Sequence, residues 1–292
     1  MRVAAIQLEP AIADVTANLT SCEALADEAG AAGARWIVLP EFFTTGMGFV
    51  PEIADAALAP DGEATELLLR LAARHGANVG GSFLCHDADG EVRNAFFLAT
   101  PGGIAGRHDK DIPTLWENCF YVGGKDDGVI ETGGIKVGVA LCLEFGRTQT
   151  LRRLCGVDLV VGGSFTWRLP GYMPDALFAG LNQRLMEGGT QWAAPFARMV
   201  GAPVVEATHC GDLDCRDQLM PLRYRCEIGN GAKICAADGT VLAGRSHTDG
   251  PGVVIADIEA GAGEPLDPIP DRFWIEPLGT LGETLWRAQR WH

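Results

Sequence analysis

The sequence predicts an α/β fold, a single domain in which two packed β-sheets carry helices on their outer faces. Three observations predict it. A unit of helical stretch, glycine and short apolar strand recurs at 23–43, 67–83, 150–165 and 193–209. The strands in these units are nearly continuous in apolar residues, as strands covered on both faces are. No Ser/Gly-rich or charged linker divides the 292 residues, a length that suits one large domain.

The elements follow in order. EALADEAGAAGARWIVLPEFF gives a helix, a glycine stop and a strand that runs to Glu41. LLLRLAARHGANVGGSF repeats that form. The glycine suits the left-handed conformation at a helix C-terminus. EVRNAFFLATPGGIAGRHDK then reads as two extended runs around the turn Pro101-Gly102-Gly103. KVGVAL is a strand that ends in Cys142, and TLRRLCGVDLVVGGSF and AAPFARMVGAPVVEATH are two further helix–strand units. GNGAKICAADGTVLAGRS is a second hairpin, turning at Asp238-Gly239, and VVIADI is one more strand. The core domain is therefore expected to span 1–260. From Gly261 the chain is Pro-rich, and 261–292 reads as a tail with a terminal helix. Its Trp274, Trp286 and Trp291 suit packing on the domain or contact with a second subunit.

Composition bounds the function. The chain is 47% hydrophobic and 21% charged, as soluble proteins with a real core are. Its net charge of −15, from 23 basic and 38 acidic side chains, argues against broad binding to nucleic acid or an anionic membrane, since both need a basic face. MRVAAIQLEP lacks a signal-peptide pattern, and no run approaches the roughly 18 apolar residues of a membrane span. The expected location is the cytoplasm, with the nine cysteines as reduced thiols. His209, Cys210, Cys215, Cys226 and Cys235 hold no C-x-x-C pair and read as separate strand and loop residues rather than a metal site.

In open α/β sheets, functional groups gather beyond the C-terminal ends of strands. Three such ends carry Glu41, Lys110 and Cys142. Taken singly they read as a solvated carboxylate, a surface lysine and a core thiol. Together they supply the parts of one chemistry. A thiol attacks as thiolate and needs a base beside it. A carboxylate serves when burial lifts its pKa. The oxyanion that forms needs a positive charge or fixed N–H donors.

IVLPEFFTTG, GRHDKDIPTLWEN and VGVALCLEFG, in that order, resemble the three signature segments of the nitrilase superfamily, the carbon–nitrogen hydrolases. AAIQLEP with Asn18, Asn94 in VRNAFFLATPGG, and GNGAKICAADGTVLA resemble secondary marks of the same family. The resemblance implies a four-layer αββα sandwich of two mixed sheets, with helices outside, and a homodimer or higher homo-oligomer. It implies Cys142 as nucleophile, Glu41 as general base and acid, and Lys110 as oxyanion partner, with the Leu143 N–H as second donor. Glu117 takes the place of a further glutamate that positions Lys110 or the substrate. Phe42, Trp116, Phe120 and Glu144 are the expected pocket residues, and Phe165, Thr166 and Trp167 close a strand end facing it. The implied reaction is hydrolysis of a small linear amide or N-carbamoyl compound through a thioester, with no metal or organic cofactor.

The chain departs from the family pattern in two places. His108-Asp109 precedes the lysine where a Tyr-Arg run is usual, and His108 reads as a surface side chain. Leu143-Glu144 after the cysteine leans towards neither amidases nor nitrilases, so a nitrilase that converts a nitrile to the acid is the alternative with the same triad. A Cys–His hydrolase needs glycines flanking the nucleophile, where Ala140 and Glu144 stand, and a His-x-Glu pattern that His209 and His247 lack. A non-catalytic binding member of the same fold is the remaining alternative.

Overall fold

The computed structural model describes residues 1–167, 192–215, 224–229, 231–277 and 279–288. In chain order the elements are β1 (Arg2–Leu8), α1 (Val15–Ala31), β2 (Trp36–Val38), α2 (Glu52–Asp55), α3 (Glu63–His75), β3 (Asn78–His86), β4 (Val92–Thr100) and β5 (Gly103–Asp109). There follow β6 (Val129–Thr132), β7 (Ile135–Leu141), α4 (Thr148–Arg153), β8 (Leu159–Ser164), α5 (Ala193–Val200) and β9 (Val204–His209). The rest are β10 (Asp212–Cys215), β11 (Tyr224–Glu227), β12 (Lys233–Cys235), β13 (Val241–Gly244), β14 (Gly252–Asp257) and α6 (Gly279–Ala288).

The glycine stops act as the sequence predicts. Gly76 caps α3 with φ 56° and Gly201 caps α5 with φ 73°, each donating its N–H to the carbonyl four residues back. Gly33 and Gly156, at φ 85° and 83°, turn the chain just beyond α1 and α4.

The strands form one large mixed sheet rather than two separate ones. Its path is β5-β4-β3-β2-β1-β9-β8-β7-β6, with β14 on β1 and β12 on β9. The two halves join because β1 and β9 each change partner along their length. β1 pairs with β14 over Arg2–Gln7, then with β9 at Gln7↔Thr208 and Leu8↔His209. β9 pairs with β12 over Val204–Glu206 before it meets β1. β10 and β11 form a separate two-stranded ribbon.

Burial follows the same division. Helices α1 and α3 cover one outer face through Ala26, Leu68, Leu71 and their neighbours. Helices α4 and α5 cover the other through Leu151, Phe196 and Val200. A third apolar cluster, with Val3, Val38, Val139, Val161 and Val205, draws on strands of both halves. Both faces of the central strands are covered, which is why those strands are mostly apolar, with Gln7, Ser164, Glu206, Thr208 and His209 as buried polar exceptions.

The described tail packs on its own chain. The Ile275 N–H donates to Gly146 O at 2.8 Å and the Thr148 N–H to Phe273 O at 3.0 Å. Trp274 and Trp286 stack edge to face with centroids 4.8 Å apart. Trp291 lies outside the described residues. All nine cysteines are free thiols. No helix among the described residues is long and apolar enough to cross a membrane.

Candidate active site

Glu41, Lys110 and Cys142 stand just past the ends of β2, β5 and β7, and the fold brings them together. Lys110 Nζ lies 2.9 Å from Glu41 Oε1 and 2.7 Å from Glu117 Oε2. Glu41, Glu117 and Cys142 place a carboxylate oxygen or sulfur within 4.8 Å of one another. Glu41 and Lys110 are fully buried, and Cys142 is 5% exposed.

The backbone is bent to make this possible. Cys142 has φ 49° and opens a short 3₁₀ turn, Cys142–Gly146. Phe42, directly after Glu41, has φ 54°. Left-handed backbone at non-glycine residues is uncommon and costs about 1–2 kcal/mol, and it occurs here at Cys142 and directly after Glu41. Gly163 in β8 lets the Glu41 segment sit against the sheet. A Cβ there would stand 2.3 Å from Glu41 N.

The Glu41 carboxylate is held from several directions. Asn94 Nδ2 and Lys110 Nζ both donate to Oε1 at 2.9 Å, and the Phe165 N–H donates to Oε2 at 3.1 Å. His209 Nε2 lies 2.6 Å from the Glu41 carbonyl oxygen. It therefore braces the Glu41 backbone. Glu117 accepts from Lys110, from the Thr114 N–H at 2.9 Å and from the Tyr121 hydroxyl. Lys110 Nζ also sits 5.9 Å from the Phe42 ring and 6.0 Å from the Tyr121 ring, within cation–π range.

The electrostatics follow from burial and from two carboxylates sharing one ammonium. Burial pushes the Glu41 carboxyl up to about 7; the Lys110 charge opposes the rise and Glu117 adds to it. Burial alone would lower Lys110, but Glu117 and Glu41 outweigh it and hold the ammonium well above its ordinary value. Burial, then the Glu41 charge, push the Cys142 thiol well above its ordinary value, so the resting thiol is neutral. The thiol faces the Phe165 carbonyl at 3.9 Å. Glu41, Glu117 and Cys142 are also the one group of potential metal ligands among the described residues. The Lys110 ammonium already stands between the two carboxylates, where a cation would bind, so this set does not fit a metal ion.

Of the expected pocket residues, Phe42, Phe120, Phe165, Trp116 and Trp167 share one apolar cluster with Phe49 and Tyr121. The Trp116 ring lies 4.1 Å from Trp167 and 4.2 Å from Phe49, centroid to centroid. Thr166 accepts the Gly229 N–H through its carbonyl. The Leu143 side chain packs into the α4–α5 cluster; the group the resemblance implies for the site is its backbone N–H. As the second residue of the turn, that N–H precedes the turn's first internal bond.

Two expectations are corrected. Glu144 does not offer its carboxylate to a pocket. It is fully buried and accepts from the Leu141 N–H at 2.9 Å, the Asp111 N–H at 3.1 Å and His108 Nε2 at 3.0 Å. His108 is not on the surface but fully buried between Glu144 and Asp126. Burial works against its charge, yet Glu144 and Asp126 lift its pKa to about 10. Sequence reasoning gave no role to Tyr121, and none to Asn94 beyond a family mark. His108 carried a readable signal, because in a strand it shares a face with Lys110 two residues on.

The carbon-nitrogen hydrolase family matches residues 2–265 of the chain. A nitrilase of Pyrococcus abyssi is 32% identical over 169 residues, 55% of this chain and 63% of that protein. The omega-amidase YafV of Yersinia enterocolitica is 36% identical over 110 residues, 37% of this chain and 41% of that protein. The chain thus aligns with less than two thirds of either relative's length. Among solved structures, a mutant of the amidase from Nesterenkonia sp. AN1, with acrylamide added at its active-site cysteine, superposes with a TM-score of 0.69. That pair is 20% identical and covers 93% of this chain and 96% of the other.

Proposed function

The chain belongs to the carbon–nitrogen hydrolase family, and on that premise we propose that it hydrolyses a small linear amide or N-carbamoyl compound through a thioester on Cys142. The observation that carries the reading is one buried ammonium, Lys110, shared by two carboxylates beside a neutral thiol. Similarity to an omega-amidase and to an amidase structure supports the amide class.

Because the resting thiol is neutral, its proton leaves as the sulfur adds to the carbonyl carbon. Glu41, with a carboxyl near 7, accepts that proton and is poised to return it. Carbonyl addition places negative charge on oxygen, which the Lys110 ammonium and the Leu143 N–H stabilise. Glu41 protonates the departing amine, the C–N bond breaks and the acyl group remains as a thioester. Water, deprotonated by Glu41, adds to the thioester and expels the thiol, freeing the acid. Glu117 holds Lys110 charged and aimed throughout.

The same reading takes the two six-strand halves as the inner layers of a four-layer αββα sandwich. It takes 1–260 as the catalytic domain and a homodimer or higher oligomer as the working form.

The test is ammonia release from a panel of amides, N-carbamoyl amino acids and nitriles, beside a Cys142→Ala control. Turnover of an amide that the control abolishes supports the proposal. Acid formed from nitriles with no amide turned over replaces it with the nitrilase reading, which the Pyrococcus abyssi relative favours. Activity that survives in the control removes Cys142 from the mechanism.

A further inference from the structure

The Lys110 and Cys142 strands are not neighbours. β5 lies at one end of the strand path and β7 is next to last at the other, with no ladder bond between them. Yet a lysine that stabilises charge formed by attack of a cysteine must keep a fixed distance from it. A misplacement of about 1 Å costs on the order of 100-fold in rate.

The Glu144 side chain spans the gap. Glu144 Oε2 accepts the N–H of Leu141, the residue before Cys142, at 2.9 Å. Glu144 Oε1 accepts the N–H of Asp111, the residue after Lys110, at 3.1 Å. The carboxylate thus ties the backbone at the nucleophile to the backbone at the lysine. His108 Nε2 fixes Oε2 at 3.0 Å from its own position two residues before Lys110. Its other ring nitrogen is held by Asp126, which also accepts the Asp109 N–H at 2.9 Å and the Gly128 N–H at 2.9 Å. Arg153 approaches Glu144 Oε1 at 3.5 Å. Arg147, bonded to Asp111, adds a second tie between the same two segments.

We propose that Glu144 is a positioning residue that sets the spacing between Cys142 and Lys110, and that His108 holds its carboxylate in place for that task. The inference rests on the thioester reading above. It gives Glu144 no contact with the substrate.

Glu144→Gln tests it. The amide keeps the size but offers one acceptor where the Leu141 and Asp111 N–H groups need two. Expected is a fall in kcat of about 100-fold, with KM within about threefold, on the amide that the wild type turns over fastest. Alkylation of Cys142 by iodoacetamide forms no oxyanion and should stay within about threefold of wild type. Hydrogen exchange at the Leu141 and Asp111 amides should quicken together, while β1 keeps its protection. Glu144→Asp, which keeps the charge on a shorter arm, should recover part of the lost kcat. If the Gln variant does not fold, His108→Gln serves in its place, with a smaller loss because Arg153 still faces Glu144.

Unchanged kcat with unchanged exchange would overturn the proposal. So would turnover and alkylation falling in one ratio, because that is the mark of unfolded protein rather than a shifted lysine. The exchange arm needs no substrate and decides alone if the panel yields none. A wild type whose Cys142 neither turns over amides nor alkylates faster than the other thiols counts against the thioester reading. A normal Glu144→Gln enzyme counts only against this one.

Discussion

Glu41 and Glu144 are equally buried, both fully out of contact with solvent, and they end in opposite states. Glu41 is lifted to about 7. Glu144 is drawn well below its ordinary value: burial opposes the shift, and His108, then Arg147 and Arg153, overcome it. The difference lies in the balance of charge around each. Beside Glu41, two carboxylates share one ammonium, so one is left short of a counter-charge and readily takes a proton. Around Glu144, the cations His108, Arg147 and Arg153 face the carboxylates of Glu144, Asp111 and Asp126. Burial raises the stakes in both places. On the proposed mechanism the imbalance lets one region move protons, and the balance suits the other to a fixed support.

The sharpest way to break this comparison is Glu41→Gln. The amide keeps the size and can still accept from Lys110, but it takes no proton. Turnover should fall about 1,000-fold while the fold persists, read by steady-state kinetics and thermal unfolding. A variant that is active but unstable would mean that Glu41 belongs to the scaffold class after all. Gly163→Ala attacks the same residue through the backbone. Its new Cβ meets Glu41 N at 2.3 Å and Pro40 C at 2.7 Å. A loss of about 3 kcal/mol in denaturant unfolding is expected, together with lost activity in the folded fraction.

The pH profile sharpens the comparison without mutation. On the proposed mechanism Glu41 must be ionised to accept the thiol proton, and its carboxyl stands near 7. Below that value kcat/KM should therefore fall about tenfold per pH unit, and it should level off above. A limb near the ordinary glutamate value of 4.5 would show that Glu41 is as well compensated as Glu144. The smallest effect is expected from Asp126→Asn, which removes one of the partners of His108. The folded-state pKa of His108 is raised from 6.5 to about 10. The stability contributed by its charge is thus complete below about pH 6.5 and lost as pH rises through 10. The variant should cost about 1 kcal/mol at neutral pH, a figure reduced because Asp126 is partly exposed. The difference from wild type should shrink towards pH 10 in denaturant titrations.

Much of the site was legible because its residues sit at strand ends, and strand ends are visible in a sequence. Glu41 and Cys142 each follow an apolar run, Lys110 follows the second strand of a hairpin with a clear Pro-Gly-Gly turn, and Glu117 follows Lys110 closely. The helix stops at Gly76 and Gly201 were legible for the same local reason. What escaped is one local signal masked by its charged neighbours and one set of distant partners. His108 lies in the charged run Arg107-His108-Asp109-Lys110, which looks like surface. Only the strand's alternation turns His108 inward while Arg107 and Asp109 pair nearer the rim. Glu144 stands two residues past Cys142, and its neighbourhood suggested the pocket. Its carboxylate is instead claimed by backbone N–H groups 3 residues before it and 33 before it, a pairing no local pattern records. The joining of the two sheet halves depends likewise on where β1 and β9 change partners, at Gln7 and Thr208.

The left-handed backbone of Cys142, at φ 49°, gives this architecture a direction of drift. Asparagine and glycine take that conformation more easily than cysteine does. A copy of this chain released from selection for the proposed turnover would gain backbone ease by losing Cys142 first. On the proposed mechanism, the position that chemistry holds is one that folding alone would fill with something else.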